Sequence, residues 1–468
     1  MALLDKKRVS ELRSVLKGIV RLMEERVPYA DALFLQITKH VINKDKTALD
    51  VDDFADSGIK LRVYDGWQFH EYGTSDLDPI ELRKQAMQLA AKVQLKPGVK
   101  LGKNAKVKKV LTKNFSSRPA IDPARVSIQK KVDACERMYT VVSGADSRII
   151  NTRIVYSERI EDKIFINREK SLWQHITGCR FAIMPFVQTP QGEMRYHFES
   201  FFRPGFEATQ MPEKKVKEAI DMAVRIIDAK KIRPGRYPAI LAPPVTGLLA
   251  HESFGHGMEG DTMYKGRAKA SQYLKKPIAG KHISIVDNPA LPARNGSFFF
   301  DDEGQLTTVT NLVKDGIVNN PITDLYSATH LKVPRTGNAR AESFDHKVYA
   351  RMSNTYFLPG KSTVDEMLQG IEEGYYLHHG GGGMEDPKGW GVQITGVVAE
   401  RISHSKLTGE LFYEVGIHGF LPDILRNITH VGQKLEVEGA GACGKGHKEW
   451  VRVSEGGPHI KVMELDLS

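Results

Sequence analysis

The segment "LLAHESFGHGMEGD", residues 248–261, contains His251, Glu252 and His256, the residue types of a metal-hydrolase helix. In the H-E-x-x-H pattern the histidines are four apart, share one helix face and hold a metal beside the glutamate, which serves as general base. Here the histidines are five apart. At about 100° per residue, a spacing of four leaves side chains roughly 40° apart and a spacing of five roughly 140°. A π-bulge absorbs one extra residue, and such bulges occur often at functional sites. Gly255 and Gly257 flank His256 and allow the backbone to leave regular helix at little cost. Either device returns His256 to the side of His251.

A catalytic zinc takes three protein ligands and keeps one position open. With His251 and His256 as two, Cys443, Glu259, Asp261, His378 and His379 all have suitable chemistry for the third, and spacing leaves the choice open. Cys443 lies in "EGAGACGKGHK", where flanking glycines let a loop fold closely onto a neighbour; a lone cysteine is otherwise a small buried hydrophobe. Gly381 and Gly382, within "GGGG" at 380–383, either admit a substrate backbone or form a loop tip. Arg335, Asn338 and Arg340 either bind a peptide's carboxylate or carbonyls or face solvent.

The chain that positions these groups has 468 residues, enough for about two or three domains. Its 41% hydrophobic and 26% charged residues are those of a globular protein, which excludes a disordered or fibrous one. The N-terminal "MALLDKKRVSELRS" has no apolar signal core, and no apolar run reaches membrane-spanning length, so a cytoplasmic protein without membrane contact is expected. Cys135, Cys179 and Cys443 are too few and too far apart for a disulfide framework. Net charge is +10, with seven lysines and no acid at 96–113. That run could release counterions on phosphates, but a solvated linker is its expected role, and nucleic acid is not the expected partner.

Periodicity predicts a first helix with Val9, Leu12, Leu16, Ile19 and Met23 on one stripe, a strand at "ALFLQI", and a hairpin turning at Asp65-Gly66. Asp78-Pro79, with Glu81 three residues after the cap, opens a second helix, and "IDPARVSIQKKVDACERM" restarts one in the same way. Residues 148–202 read as short strands joined by polar turns, 211–230 as a strong helix, and "RPGRYP" as a linker. Beyond it the chain is rich in glycine and short strands, with a few helical windows, one around His251 and another at 362–376. The expected fold is α+β: a mixed α/β domain over 1–232, then a β-rich domain over 233–468.

"HESFGHGMEGD", "DDEG" (301–304), "TGNARAES" (336–343), "MSNTYFLPGKST" (352–363), the glycine run, and the terminal "CGKG" with "GGPHIKVMELDLS" resemble the TldD/PmbA metallopeptidases in order and spacing. The first domain resembles them more loosely, so the likeness covers nearly the whole chain. The resemblance implies a zinc site of the HExxxH type, with His251, His256 and the distant Cys443 as ligands and Glu252 as general base. It also implies the catalytic, TldD-like branch, working as a homodimer or paired with a PmbA-like subunit that lacks the motif. One departure is "GKGHKEWVRVSEGG" after the cysteine, where the family reads a shorter polar turn and a valine-proline-valine stretch; His447, Lys448, Glu449 and Trp450 therefore bear on the substrate pocket. The expected activity is zinc-dependent hydrolysis of peptide bonds in unfolded or leader-type peptides, with "GWGVQITGVVAERI" (389–402) as the strand edge that receives them. The alternatives are an amidohydrolase that tailors a peptide or specialised metabolite, a nucleic-acid-associated regulator acting through 96–113, and a metal-free partner protein.

Overall fold

The computed structural model describes residues 4–95, 98–107, 109–446 and 448–468; Lys96 and Lys108 of the lysine-rich run, and His447, lie outside the described residues. Helix α1 (Lys6–Glu24) starts at Asp5, whose carboxylate accepts from the Arg8 amide at 2.7 Å, and buries the predicted stripe. The first sheet contains β1 (Tyr29–Lys44), β2 (Leu49–Tyr64), β3 (Phe69–Thr74), β4 (Leu111–Ser116), β5 (Ile149–Asn167), β6 (Lys170–Gln188), β7 (Met194–Tyr196) and β8 (Glu199–Arg203). Its order is β3-β2-β1-β5-β6-β4, with β7 and β8 also paired to β6. The hairpin turns where expected, with Asp65 accepting from the Trp67 and Gln68 amides and Gly66 at φ +100°.

Successive strand residues face opposite sides. Even-numbered Ala32, Phe34, Ile42, Ile154, Tyr156 and Ile164 join the cores under α1, α2 (Pro79–Ala91), α3 (Ile128–Ser143) and α4 (Glu213–Arg225). Odd-numbered Leu33, Leu35, Ile37 and Phe165 meet Phe300 and Phe344 from the second half of the chain. Charged residues on this second face are paired within the sheet, Arg62 with Asp31 at 2.7 Å, and across the junction, Arg62 with Glu303 at 2.7 Å and Lys163 with Asp302.

Three local expectations change. The region 148–202 is dominated by two 19-residue strands, β5 and β6, because the charges of "SERIEDK" are ion-paired within the sheet and across the junction and do not mark a turn. Asp122-Pro123 opens only one 3-10 turn, and α3 starts later with Ser127 as its cap. In 362–376 helix occupies Val364–Leu368 alone; Gly370, at φ +75°, ends it before the chain extends.

The second half begins with β9 (Gly235–Leu241) and helix α5 (Pro243–Ala250). One six-stranded sheet comprises β10 (Ile285–Asp287), β11 (Thr310–Lys314), β12 (Ile317–Val318), β15 (Asn354–Phe357), β21 (Gly441–Cys443) and β22 (Val451–Gly456), beside a small ladder of β13 (Ala339–Arg340) and β14 (Tyr349–Ala350). Strands β16 (Glu373–His379), β17 (Gly382–Asp386), β18 (Gly391–Ser403), β19 (Lys406–Phe420), β20 (Ile428–Val431) and β23 (Ile460–Leu467) form the other sheet with β9. Its pairings β16-β9-β23-β19-β18-β16 close into a five-stranded ring, from which β17 extends along β18. Helix α5 presses on β22 so closely that a Cβ at Gly247 would fall 2.6 Å from the Gly456 Cα. Among the described residues no helix is long and apolar enough to cross a membrane.

Candidate metal centre

From Ala250 the α-helix runs directly into a π-helix, His251–His256. Bonding from i to i+5 stacks residues five apart, which is how a five-residue spacing brings two histidines together. Their ring centroids are 5.4 Å apart, at 87°. The glycines contribute by close approach, since neither Gly255 nor Gly257 has a positive φ. A Cβ at Gly257 would lie 2.7 Å from Trp390 Nε1 and 3.1 Å from Glu385 Oε1.

Strand β21 delivers Cys443 to the same point. Its Sγ lies 2.9 Å from His256 Nε2, and the donor atoms of His251, His256 and Cys443 all fall within 4.8 Å of one another. Two imidazoles and a thiol suit tetrahedral zinc with one open position. His251 Nδ1 is buried and has no hydrogen-bond partner among the described residues. Burial, with help from Arg351, holds His251 well below the ordinary histidine range and His256 at about 3, so both imidazoles are neutral at neutral pH, the ligand form. Burial pushes the Cys443 thiol up to about 12, so ligation there must release a proton.

Arg351, fully buried, donates to Cys443 Sγ at 3.2 Å and to Glu259 at 2.9 Å, and Lys445 bridges Glu259 and Asp261 at 2.7 and 2.8 Å. Glu259 and Asp261, open as third ligands from their chemistry, are thus occupied in ion pairs. His378 bonds Glu400 at 3.0 Å, and His379 groups with His197 and Glu199 at a separate cluster. Glu252 makes no ion pair among the described residues; burial, then the Glu455 charge, raises its carboxyl to about 7.

The residues expected to meet substrate divide. Asn338 is fully buried and donates to Asp287 at 2.7 Å; Arg340 donates to the Met352 and Arg452 carbonyls; Arg335 pairs with Glu303 at 2.9 Å. Their polar groups hold the interior together, which corrects the expectation of peptide binding. Gly381 donates its amide to Thr395 at 2.8 Å, whereas Gly382 has open space where a Cβ would be. The run is no loop tip, since Gly382 and Gly383 lie in β17 and Gly383 backs onto Glu252. The expected edge at 389–402 is also corrected: β18 is flanked by β19 on one side and by β16 and β17 on the other, and among the described residues β17 pairs with β18 alone. Arg351, Lys445 and Glu385 carry no spacing signal and were invisible before the fold brought them here.

Residues 234–468 match the model of the PmbA/TldA metallopeptidase C-terminal domain, and 121–226 the central domain of the same family. The chain belongs to the TldD/PmbA metallopeptidase family. A metalloprotease of Methanothermobacter thermautotrophicus is 28% identical over 96% of this chain and 97% of its own length. A protein of Saccharolobus solfataricus named zinc metalloprotease TldD homolog is 35% identical over 50% of this chain and 52% of its own. TldE from Thermococcus kodakarensis superposes with a TM-score of 0.75 at 14% identity, covering 97% of this chain and all of that one, and so shares the fold. This TldD/PmbA member is a metalloprotease.

Proposed function

We propose that this metalloprotease cuts peptide bonds in unfolded or leader-type peptides, using a zinc ion held by His251, His256 and Cys443 and Glu252 as general base. The observation that carries the reading is the meeting of those three donors within 4.8 Å, with Glu252 adjacent in the chain and free of any ion pair among the described residues. Bound zinc supplies polarisation of the scissile carbonyl and acidifies a water. Glu252 takes the proton from that water and returns it to the leaving amine. Its carboxyl, near 7 through burial, is matched to giving and taking a proton around neutral pH. Arg351, by donating to the thiolate, orients Cys443 and tempers its charge.

The unpaired edge of β17 is the proposed substrate platform. An extended peptide added there makes main-chain hydrogen bonds and asks little of sequence. The open space at Gly382 and the contact of Gly383 with Glu252 support this reading, in which such a strand would lie beside the base. We further propose domains at 1–232 and 233–468, a cytoplasmic location, and pairing either with itself or with a PmbA-like subunit. The shared fold with TldE supports a paired arrangement. The test is cleavage of an unstructured peptide by wild-type and Glu252→Gln protein at matched zinc content: loss of turnover is expected, and full activity in the variant sinks the assignment.

A further inference from the structure

A second cluster of metal donors joins the two halves of the chain. His197 lies between β7 and β8, Glu199 begins β8, and His379 ends β16; one donor atom from each falls within 4.8 Å of the others. The rings of His197 and His379 meet edge to face, centroids 4.5 Å apart at 81°. His197 is only 4% exposed. Among the described residues, no hydrogen bond or ion pair reaches a ring nitrogen of either histidine. Two neighbouring imidazoles whose ring nitrogens have no protein partner among the described residues are left available to an external ligand. The neighbouring His378 differs, since Glu400 claims its Nε2 at 3.0 Å.

The backbone is arranged to aim His379 into this cluster. Pairing of β16 with β18 shifts register between Leu377 and His379, and such a bulge redirects a side chain at the end of a strand. Glu199 is oriented as well: its Oε1 accepts from Lys215 at 3.1 Å and from the Ser200 amide at 3.1 Å, which leaves Oε2 unclaimed.

We propose that His197, Glu199 and His379 form a second divalent-metal site, separate from the His251, His256 and Cys443 centre. Two imidazoles and a carboxylate suit zinc, cobalt or nickel. Tetrahedral donors at about 2.1 Å from a metal lie roughly 3.4 Å apart, so binding draws the three together by a small closure. The site ties β8 of the first sheet to β16, and the chain after His379 runs straight through Gly380–Gly383 to the strand backing Glu252. A metal here would therefore anchor the start of the glycine run that leads to Glu252.

The experiment is a Co²⁺ titration of the full chain in a Cys443→Ser, His256→Ala background, followed by visible absorption and by calorimetry. The proposal expects about one equivalent, with the d–d bands of a tetrahedral, nitrogen- and oxygen-ligated Co²⁺ and no thiolate charge-transfer band. Adding either His379→Gln or Glu199→Gln should weaken that binding by about tenfold or more. The conservative Glu199→Gln change keeps side-chain size and decides the matter where His379→Gln disturbs folding by circular dichroism. Absence of Co²⁺ binding in the background protein, or equal affinity with and without Glu199→Gln, overturns the second site. A thiolate charge-transfer band in this background would put the Co²⁺ on Cys135 or Cys179 and likewise overturn the second site, whereas the His251, His256 and Cys443 centre is tested by the wild-type protein.

Discussion

Gly383 of β17 lies directly against Glu252: a Cβ on the glycine would fall 2.6 Å from the Glu252 Cγ and 2.9 Å from Oε1. The strand proposed to offer its edge to a peptide is thereby in contact with the group proposed to activate water. Gly383→Ala should push the carboxylate aside while leaving His251, His256 and Cys443 in place. A misplacement of that kind costs roughly 10- to 10²-fold in kcat. The check is steady-state kinetics with metal analysis on the same sample; unaltered kcat contradicts the contact's importance.

Glu252→Gln removes the proton acceptor but keeps the shape. General-base loss predicts a fall in kcat of about 10² to 10⁴ with fold and zinc content preserved. Single-turnover cleavage of a fluorogenic peptide, beside elemental analysis, separates this outcome from simple loss of metal.

Glu385 supplies a pH prediction. Both of its carboxylate oxygens are buried without a hydrogen-bond partner, and burial, then Glu259 and Glu252, raises it to about 9. In the unfolded chain it titrates near 4.3, so between that pH and 9 unfolding releases a proton and stability falls as pH rises. Below both values the contribution vanishes. Glu385→Gln, always neutral, should therefore raise the Tm of the metal-free protein clearly at pH 8, by on the order of 2 kcal/mol in stability, and hardly at pH 4.5. An equal shift at both pH values would show that the carboxylate is not the cause.

The sequence made the metal chemistry legible because its signal is local: a motif one residue too long has few ways to converge, and the π-helix at His251–His256 is one of them. Amphipathic α1 and the Asp78 cap of α2 were readable for the same reason. What could not be read depends on distant pairing. The acids and bases of 158–163 look like a turn until Lys131, Asp302 and Arg452 arrive to pair them. The apolar alternation of 389–402 shows a strand but cannot tell an edge from a centre, and β17, short and glycine-rich, carries little strand signal of its own. Arg335, Asn338 and Arg340 looked available because nothing local reveals that buried acids and carbonyls claim them.

The proposed β17 platform carries an expectation about substrate form. With an extended segment required there, a folded protein should be cut only as its local unfolding allows. Unstructured peptides should be cleaved with loose sequence preference, and a destabilised variant of a folded protein faster than its parent. Equal rates for the parent and its destabilised variant would remove the edge from the account.

The most direct test of the central claim is zinc content per chain, by elemental analysis of wild-type, His251→Ala and Cys443→Ala proteins purified identically. Each variant is predicted to hold about one zinc fewer than wild type while remaining folded by circular dichroism. Zinc content unchanged from wild type in both variants would falsify the assignment of His251, His256 and Cys443 as the metal centre.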